Sequence, residues 1–198
     1  SNVCYGRSAL MLSGGGVLGF LHVGVVSELL RQGLLPRVIS GSSAGSIVAA
    51  ALAAYTDEEM AELDLIGMME SGEDGNKGVL WQWVSGMGSR LTAEDTEKLI
   101  AATIPDLTFG EAYAKTGRQV SITVAPAEPH QRSRLLNAVS SPNVYLRSAA
   151  MASCAIPGVF PAVMLQAKNE RGDAQPYLPA RRWVDGSVAD DLPAKRLS

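Results

Sequence analysis

The chain has 198 residues, 46% of them hydrophobic, and a formal net charge of −3. This length and composition predict a single globular domain, residues 1–198, with a sizeable core. The small negative charge gives no indication of a protein that binds nucleic acid through a basic surface. The cysteines, Cys4 and Cys154, are too far apart for a redox or metal motif, and no group of residues has metal-ligand spacing. We therefore expect no metal, no cofactor and no nucleic-acid partner.

The first stretch with a clear pattern is a strand, a glycine loop and a helix. An uninterrupted apolar run from Ala9 to Ser13 predicts a strand that is buried on both faces. The sequence Gly14-Gly15-Gly16-Val17-Leu18-Gly19 follows at once, and helical spacing then extends from Phe20 to Leu30.

The glycine loop matches G-x-G-x-x-G, and two functions use such a loop. A dinucleotide site requires an acid about 20 residues further on, at the end of the next strand, but the strand at Arg37 to Ser40 is followed by Gly-Ser-Ser. The amides of Gly14, Gly15 and Gly16 at the head of a helix can instead form an oxyanion hole. A close-packed corner without a catalytic role also stays open.

The stretch from Val38 to Ala51 predicts a nucleophile elbow. Its β-branched start predicts a strand, and its alanine-rich end predicts a helix over about Ser43 to Ala54. Between them Gly41, Ser43 and Gly45 have the spacing G-x-S-x-G, in which glycines make room for a serine on a strained turn. The alternative is a small-residue turn in which Ser42 or Ser43 caps the helix. Two successive βα units predict an α/β fold with a parallel sheet.

The remainder of the chain contributes an acidic region and a late aspartate. The acidic region, residues 55–111, predicts a helical excursion over the sheet, with Thr92 and Asp95 forming a capping box. Further predicted elements are strands at 119–124 and 133–139, a helix at 141–155, a polar hairpin or loop at 168–182 and a short strand that ends at Asp185.

Asp185, followed by Gly186, is a second candidate catalytic residue. At the carboxyl end of a strand in a parallel sheet, Asp185 would share the edge that carries the βα loops. The alternative is a plain Asp-Gly turn. No histidine follows Asp185, so the hydrolase order of serine, acid and histidine is excluded within this sequence. A dyad of Ser43 and Asp185 remains, and it requires a desolvated acid and a strong oxyanion hole.

The two histidines have simpler interpretations. His22 lies within the first predicted helix, just past the glycine loop. We expect its side chain to pack beside the loop. His130 falls in a predicted polar turn, so we expect it to be an exposed loop residue.

In order and spacing, the glycine loop, the elbow and the Asp185-Gly186 dipeptide resemble the patatin-like phospholipase family, over nearly the whole chain. Longer runs resemble one branch of it, the triacylglycerol lipases of lipid droplets: Leu35 to Ser46, Ala152 to Gly158 and Arg182 to Ser187. Two departures from the common family pattern are Leu18, where many members have Arg or Lys, and Ser187 after Asp-Gly. Both resemble the lipase branch.

The resemblance implies a three-layer α/β sandwich with a central, mostly parallel sheet flanked by helices. It makes Ser43 the nucleophile, Asp185 the base and the loop amides, with Ala44, the oxyanion hole. The implied function is a serine acyl hydrolase of fatty-acyl lipid esters, triacylglycerol or phospholipid. The implied partner is a peripheral membrane or lipid-droplet surface. The alternatives are a catalytically silent lipid-binding or scaffolding module of the same fold, or a nucleotide-binding α/β domain.

The sequence contains no signal peptide and no apolar run long enough to span a bilayer. With the resemblance, this favours an intracellular protein that associates peripherally with lipid. The ends of the sequence do not look like finished domain edges, and the lipase branch carries flanking segments, so we expect the natural protein to be longer.

Overall fold

A computed structural model describes residues 8–15, 19, 21–62, 92–128 and 131–186 of the chain. In chain order its elements are β1 (Ala9–Leu12), α1 (Leu21–Arg31), β2 (Val38–Gly41), α2 (Ala44–Ala54), α3 (Asp57–Glu62), α4 (Ala93–Thr103), α5 (Phe109–Thr116), β3 (Gln119–Pro126), β4 (Arg134–Asn137), α6 (Leu146–Ser153), β5 (Gln166–Lys168), β6 (Ala174–Pro176) and β7 (Trp183–Asp185).

Five of the described strands form one sheet. Strands β1, β2 and β3 lie side by side and are parallel, as two successive βα units require. Strand β4 pairs antiparallel with β3, and β7 also pairs antiparallel with β3. Strands β5 and β6 form a separate two-stranded hairpin. The predicted α/β fold, with a mostly parallel central sheet flanked by helices, is confirmed.

Helix α2 is the centre of the helical layer. All eleven of its residues are buried, and it contacts β2, β3, α5 and α6. Its many alanines allow these elements to approach closely, and its larger side chains, Ile47 and Leu52, are about 1% exposed. Burial of each such side chain contributes about 1.5–3 kcal/mol. The helix that follows the elbow is thereby held rigidly against the sheet.

The carboxyl end of α2 is satisfied by the corner between α5 and β3. Helix α2 contains no basic residue in its last turn. Its last carbonyls accept hydrogen bonds from Lys115, Thr116 and Arg118 instead. Arg118 alone donates to the carbonyls of Leu52, at 2.9 Å, and Tyr55, at 2.7 Å. Cations at this end also complement the helix dipole, so the corner stabilises the element that carries the elbow.

The predicted helix at 141–155 is shorter in the structure. Helix α6 begins only at Leu146, because the two residues before it are used in bridges. Val144 pairs with Ala167, and Tyr145 pairs with Thr108. These bridges fix the start of α6 between the hairpin and α5.

Of the acidic region 55–111, the structure describes residues 55–62 and 92–111, which contain α3, α4 and the start of α5. Residues 63–91, the middle of the predicted excursion, lie outside the described residues. Among the helices that the structure describes, none combines the length and the apolar character needed to cross a membrane.

Candidate active site

Ser43 stands at the junction between β2 and α2, in a backbone conformation that is rare for residues with a side chain. Its φ is 50° and its ψ is −129°, a strained combination that costs on the order of 1–3 kcal/mol. The residue is 7% exposed. Its side chain makes no capping hydrogen bond to α2. The alternative in which Ser42 or Ser43 caps the helix is therefore wrong for Ser43.

The two elbow glycines are required by close approaches of the backbone. A Cβ atom on Gly45 would lie 2.3 Å from the carbonyl oxygen of Leu12 and 2.6 Å from that of Ser13. A Cβ atom on Gly41 would lie 2.5 Å from the Gly45 oxygen and 2.8 Å from the Ala49 Cβ. Real side chains do not tolerate such distances, so these glycines let α2 start directly against the end of β1.

Hydrogen bonds hold the backbone of Ser43 on both sides. Its N–H donates to the hydroxyl oxygen of Ser153 at 2.9 Å, and that hydroxyl donates to the carbonyl of Thr123 at 2.8 Å. The carbonyl of Ser43 accepts from Ser46 Oγ at 2.6 Å and from Cys154 Sγ at 3.3 Å. The strained turn is thus braced by α6 and by β3.

Strand register brings Asp185 to the end of β2. Val124 pairs with Arg134 of β4 and also with Asp185 of β7, so β7 lies on the same side of β3 as β2. Strand β2 ends at Gly41, opposite Ile122. Asp185 therefore lies two residues, about 7 Å, further along β3 than the last residue of β2. It is 2% exposed.

The direction of β7 differs from the prediction. The sequence pattern places Asp185 at the carboxyl end of a strand in a parallel sheet, but β7 is antiparallel to β3. It enters from beyond the edge where β2 ends and runs back towards β2. Asp185 therefore reaches the edge with the βα loops because the carboxyl ends of β2 and β7 face each other along β3.

Contacts with one short segment tie Asp185 to Ser43. The backbone N–H of Asp185 donates to the carbonyl of Ala155 at 2.9 Å, directly after Cys154. Burial raises the pKa of the Cys154 thiol to about 12, the hydrogen bond with Ser46 opposes this, and the charge of Asp185 raises the pKa further. The same thiol donates to the carbonyl of Ser43, so residues 154–155 contact the backbone of both the serine and the acid.

The glycine loop lies against the start of α2. Gly14 and Gly15 follow β1, and Gly15 has a φ of 130° that favours glycine; Gly16 lies outside the described residues. A Cβ atom on Gly19 would lie 2.4 Å from the Cβ of Ala44. Ala44 is the first residue of α2, where a backbone N–H has no acceptor within the helix. Loop and elbow are therefore neighbours.

His22 contacts the loop from α1. Its Nε2 lies 3.0 Å from the carbonyl oxygen of Ser13, so the ring braces the residue that precedes the glycines, as a packed helix histidine would. His130 lies outside the described residues.

Sequence patterns did not identify the roles of Ser153 and Cys154. Both belong to a run that resembles the lipase branch, but no local spacing connects them with the elbow. Ser153 is 110 positions from Ser43 in the chain, so only the packing of α6 against α2 and β3 shows the contact.

Comparison with known proteins identifies the family. The sequence profile described as "Patatin-like phospholipase" matches residues 10–197. Triacylglycerol lipase 4 of Saccharomyces cerevisiae is 41% identical over 206 residues, and a patatin-like phospholipase domain-containing protein of Yarrowia lipolytica is 38% identical over 199 residues. Each alignment covers 98% of this chain but only 23% and 24% of the relative. The chain thus spans about a quarter of these relatives.

A solved structure agrees at the level of the fold. VipD from Legionella pneumophila superimposes with a TM-score of 0.53 and 18% sequence identity, over 94% of this chain and 47% of VipD. Patatin-like phospholipases and triacylglycerol lipases are lipid acyl hydrolases. With a profile match over nearly its whole length and relatives at about 40% identity, this chain belongs to the patatin-like phospholipase family.

Proposed function

We propose that this domain hydrolyses fatty-acyl esters of lipids, with Ser43 as the nucleophile and Asp185 as the base. One observation carries the proposal: the serine hydroxyl does not cap α2, although its residue stands at the cap position. A strained backbone whose side chain does not serve the helix is typical of a nucleophile elbow. The buried Asp185, tied to the same segment as the Ser43 backbone, supplies the matching acid.

The proposed reaction has two steps. In the first, Ser43 Oγ attacks the ester carbonyl, and its proton passes to the carboxylate of Asp185 and then to the departing alcohol. The fatty acid is left as an ester on Ser43. In the second step water attacks this ester, Asp185 takes the water proton and passes it to Ser43 Oγ, and the free fatty acid leaves with Ser43 restored. Burial disfavours the charged form of a carboxyl group, so the buried Asp185 carboxylate is favoured to take up the proton.

The oxyanion that forms in each step needs fixed N–H donors. We assign this role to the amide of Ala44 with those of Gly14, Gly15 and Gly16. The contact of Gly19 with Ala44 supports this assignment, since it puts the loop beside the positive end of α2. The N–H of Ser43 is already bonded to Ser153 and is not needed for the oxyanion.

The proposed substrate is a triacylglycerol or a phospholipid, taken from a membrane or lipid-droplet surface. The names of the relatives include both a triacylglycerol lipase and phospholipase-domain proteins. Exposed apolar side chains also occur in the segments that follow the glycine loop and α6. Leu21 begins α1 and is 69% exposed, and Val159, in the loop after α6, is 67% exposed. Such residues favour contact with lipid over water.

The direct test is covalent labelling of the folded protein with a fluorophosphonate, followed by peptide mapping. We expect a single adduct on Ser43 and release of acid from short-chain esters. A folded protein that takes no label and releases no acid would support the silent lipid-binding module instead. A panel of triacylglycerols and phospholipids in vesicles and emulsions, offered to the full-length protein, then separates the two substrate classes.

The role of Asp185 is tested by Asp185→Asn, which keeps the shape of the side chain but removes its basicity. We expect turnover to fall by about 100- to 10,000-fold, the range for loss of a general base, while circular dichroism shows a retained fold. A variant with near-wild-type turnover would mean that another group is the base, with His22 and His130 the next candidates.

A further inference from the structure

The backbone of Ser43 needs an external support. The threonines at which α4 and α5 begin have the ordinary extended conformation: Thr92 has φ −86° and ψ 163°, and Thr108 has φ −83° and ψ 166°. In that conformation each hydroxyl caps its helix. Ser43, at φ 50° and ψ −129°, would gain both relief of strain and a capping bond by relaxing towards it. Something in the fold must oppose this change.

Ser153 is placed to oppose it. Its side chain is wholly buried, and its hydroxyl proton is committed to the carbonyl of Thr123 on β3. A lone pair of the same oxygen therefore has a fixed direction, and it accepts the N–H of Ser43 at 2.9 Å. Rotation of the Ser43 backbone out of the strained region would turn this N–H away from Ser153. The buried N–H would then lose its partner, at a cost comparable to the strain itself.

We propose that Ser153 is the positioning residue that holds Ser43 in its reactive backbone conformation. The inference rests on the proposed function and deepens it. Ser153 does not touch the ester. It acts through the backbone of the nucleophile, keeping the Ser43 hydroxyl out of the capping position. Because Ala155, two residues later, binds the N–H of Asp185, the same turn also sets the distance between the acid and the serine.

Ser148 provides a matched control on the same helix. Its hydroxyl oxygen also accepts a backbone N–H from a distant strand, that of Gln166, at 2.7 Å. However, Ser148 lies on the outer face of α6, where with Arg147 and Met151 it lines a cavity of about 380 Å³. Neither Ser43 nor Asp185 lines this cavity. Ser148→Ala thus removes the same kind of hydrogen bond without touching the elbow.

The experiment compares the wild type with Ser153→Ala, Ser148→Ala and Ser153→Thr. The readouts are the second-order rate constant of fluorophosphonate labelling, counted per labelled molecule, and kcat and KM for a short-chain ester. Since small misplacements of a reacting group cost up to about 100-fold, we expect Ser153→Ala to lose about 10- to 100-fold in labelling rate and kcat. KM should stay nearly unchanged, and Ser148→Ala should match the wild type.

Ser153→Thr keeps the hydroxyl group and should retain most of the labelling rate. This variant also tests the inference if Ser153→Ala does not fold. The inference is overturned if folded Ser153→Ala labels at the wild-type rate, if Ser148→Ala loses as much, or if folded Ser153→Thr labels as slowly as the alanine variant. A wild type that takes no label overturns the proposed function and this inference together. A wild type that labels, with an unaffected Ser153→Ala, overturns the inference alone.

Discussion

The described helices that begin at a serine or a threonine use its hydroxyl group in two different ways. At Thr92 and Thr108 the hydroxyl accepts the N–H three residues on, and a carboxylate at that position accepts the N–H of the threonine. At Ser43 the hydroxyl makes no such bond. The position three residues on holds Ser46, whose hydroxyl binds the Ser43 carbonyl instead.

The difference lies in where the supporting groups come from. The capping boxes of α4 and α5 are local, so the helix ends there support themselves. The start of α2 relies on distant residues: Ser153 holds the N–H of Ser43, and Cys154 contacts its carbonyl. Asp185, the proposed base, lies on β7, the last described strand. The start of α2 thus differs from those of α4 and α5 in that the hydroxyl group of its N-cap residue makes no capping hydrogen bond.

The largest expected effect is that of Ser43→Ala. Hydrolysis should fall by roughly a thousandfold or more, as for removal of a nucleophile, while the free energy of unfolding stays near that of the wild type. The stability should not change because the hydroxyl makes no capping bond. Ester hydrolysis and urea unfolding measure the two quantities. A loss of about 1 kcal/mol in stability, typical of a lost cap, would show that Ser43 caps α2 after all.

Gly45→Ala tests the close approach on which the elbow depends. A methyl group there would overlap the carbonyl oxygens of Leu12 and Ser13, so we expect a loss of about 1–3 kcal/mol of stability. Gly24→Ala is the control, because Gly24 lies in α1, where an added methyl group would have nothing within 4 Å of it. That variant should gain up to about 1 kcal/mol from helix propensity. Equal effects in denaturant unfolding would contradict the packing described for the elbow.

Thr108→Ala tests a helix start at which the hydroxyl group makes a capping hydrogen bond. It removes the hydroxyl that accepts the N–H of Glu111 at 3.2 Å, so we expect a loss of about 1 kcal/mol of stability. The rate of fluorophosphonate labelling should be unchanged. Calorimetry and labelling on the same preparation check both parts, and slower labelling would mean that the α5 cap influences the elbow.

The smallest expected effect is a change in acid stability in Glu111→Gln. Burial raises the pKa of Glu111, but the hydrogen bonds from Lys168 and Thr108 together outweigh it, so its pKa is lowered from 4.5. The unfolded chain then binds this proton at a higher pH than the folded protein does. The stabilisation is present above pH 4.5 and is lost as the pH falls through the folded pKa. The glutamine variant should show a flatter decline of stability below this pH in urea titrations, whereas an unchanged decline would exclude this contribution.

Much of this protein could be predicted from short stretches of sequence. The alternation of strands and helices, the Gly41–Gly45 elbow and the Thr92–Asp95 capping box all depend on residues within a few positions of one another. Such patterns express backbone preferences and helix periodicity, which do not require knowledge of distant contacts. Asp185 is a candidate on the same basis, from its place after a short strand and before a glycine.

Other features depended on contacts that no local pattern contains. The antiparallel direction of β7 follows from its pairing with β3, and the brace of Ser153 on Ser43 joins residues 110 positions apart. The strained backbone of Ser43 is the clearest case, since its own sequence would equally allow a capped helix start. Local preferences differ by about 1 kcal/mol, so the choice between the two conformations was made by the packing of α6 and β3 around the elbow.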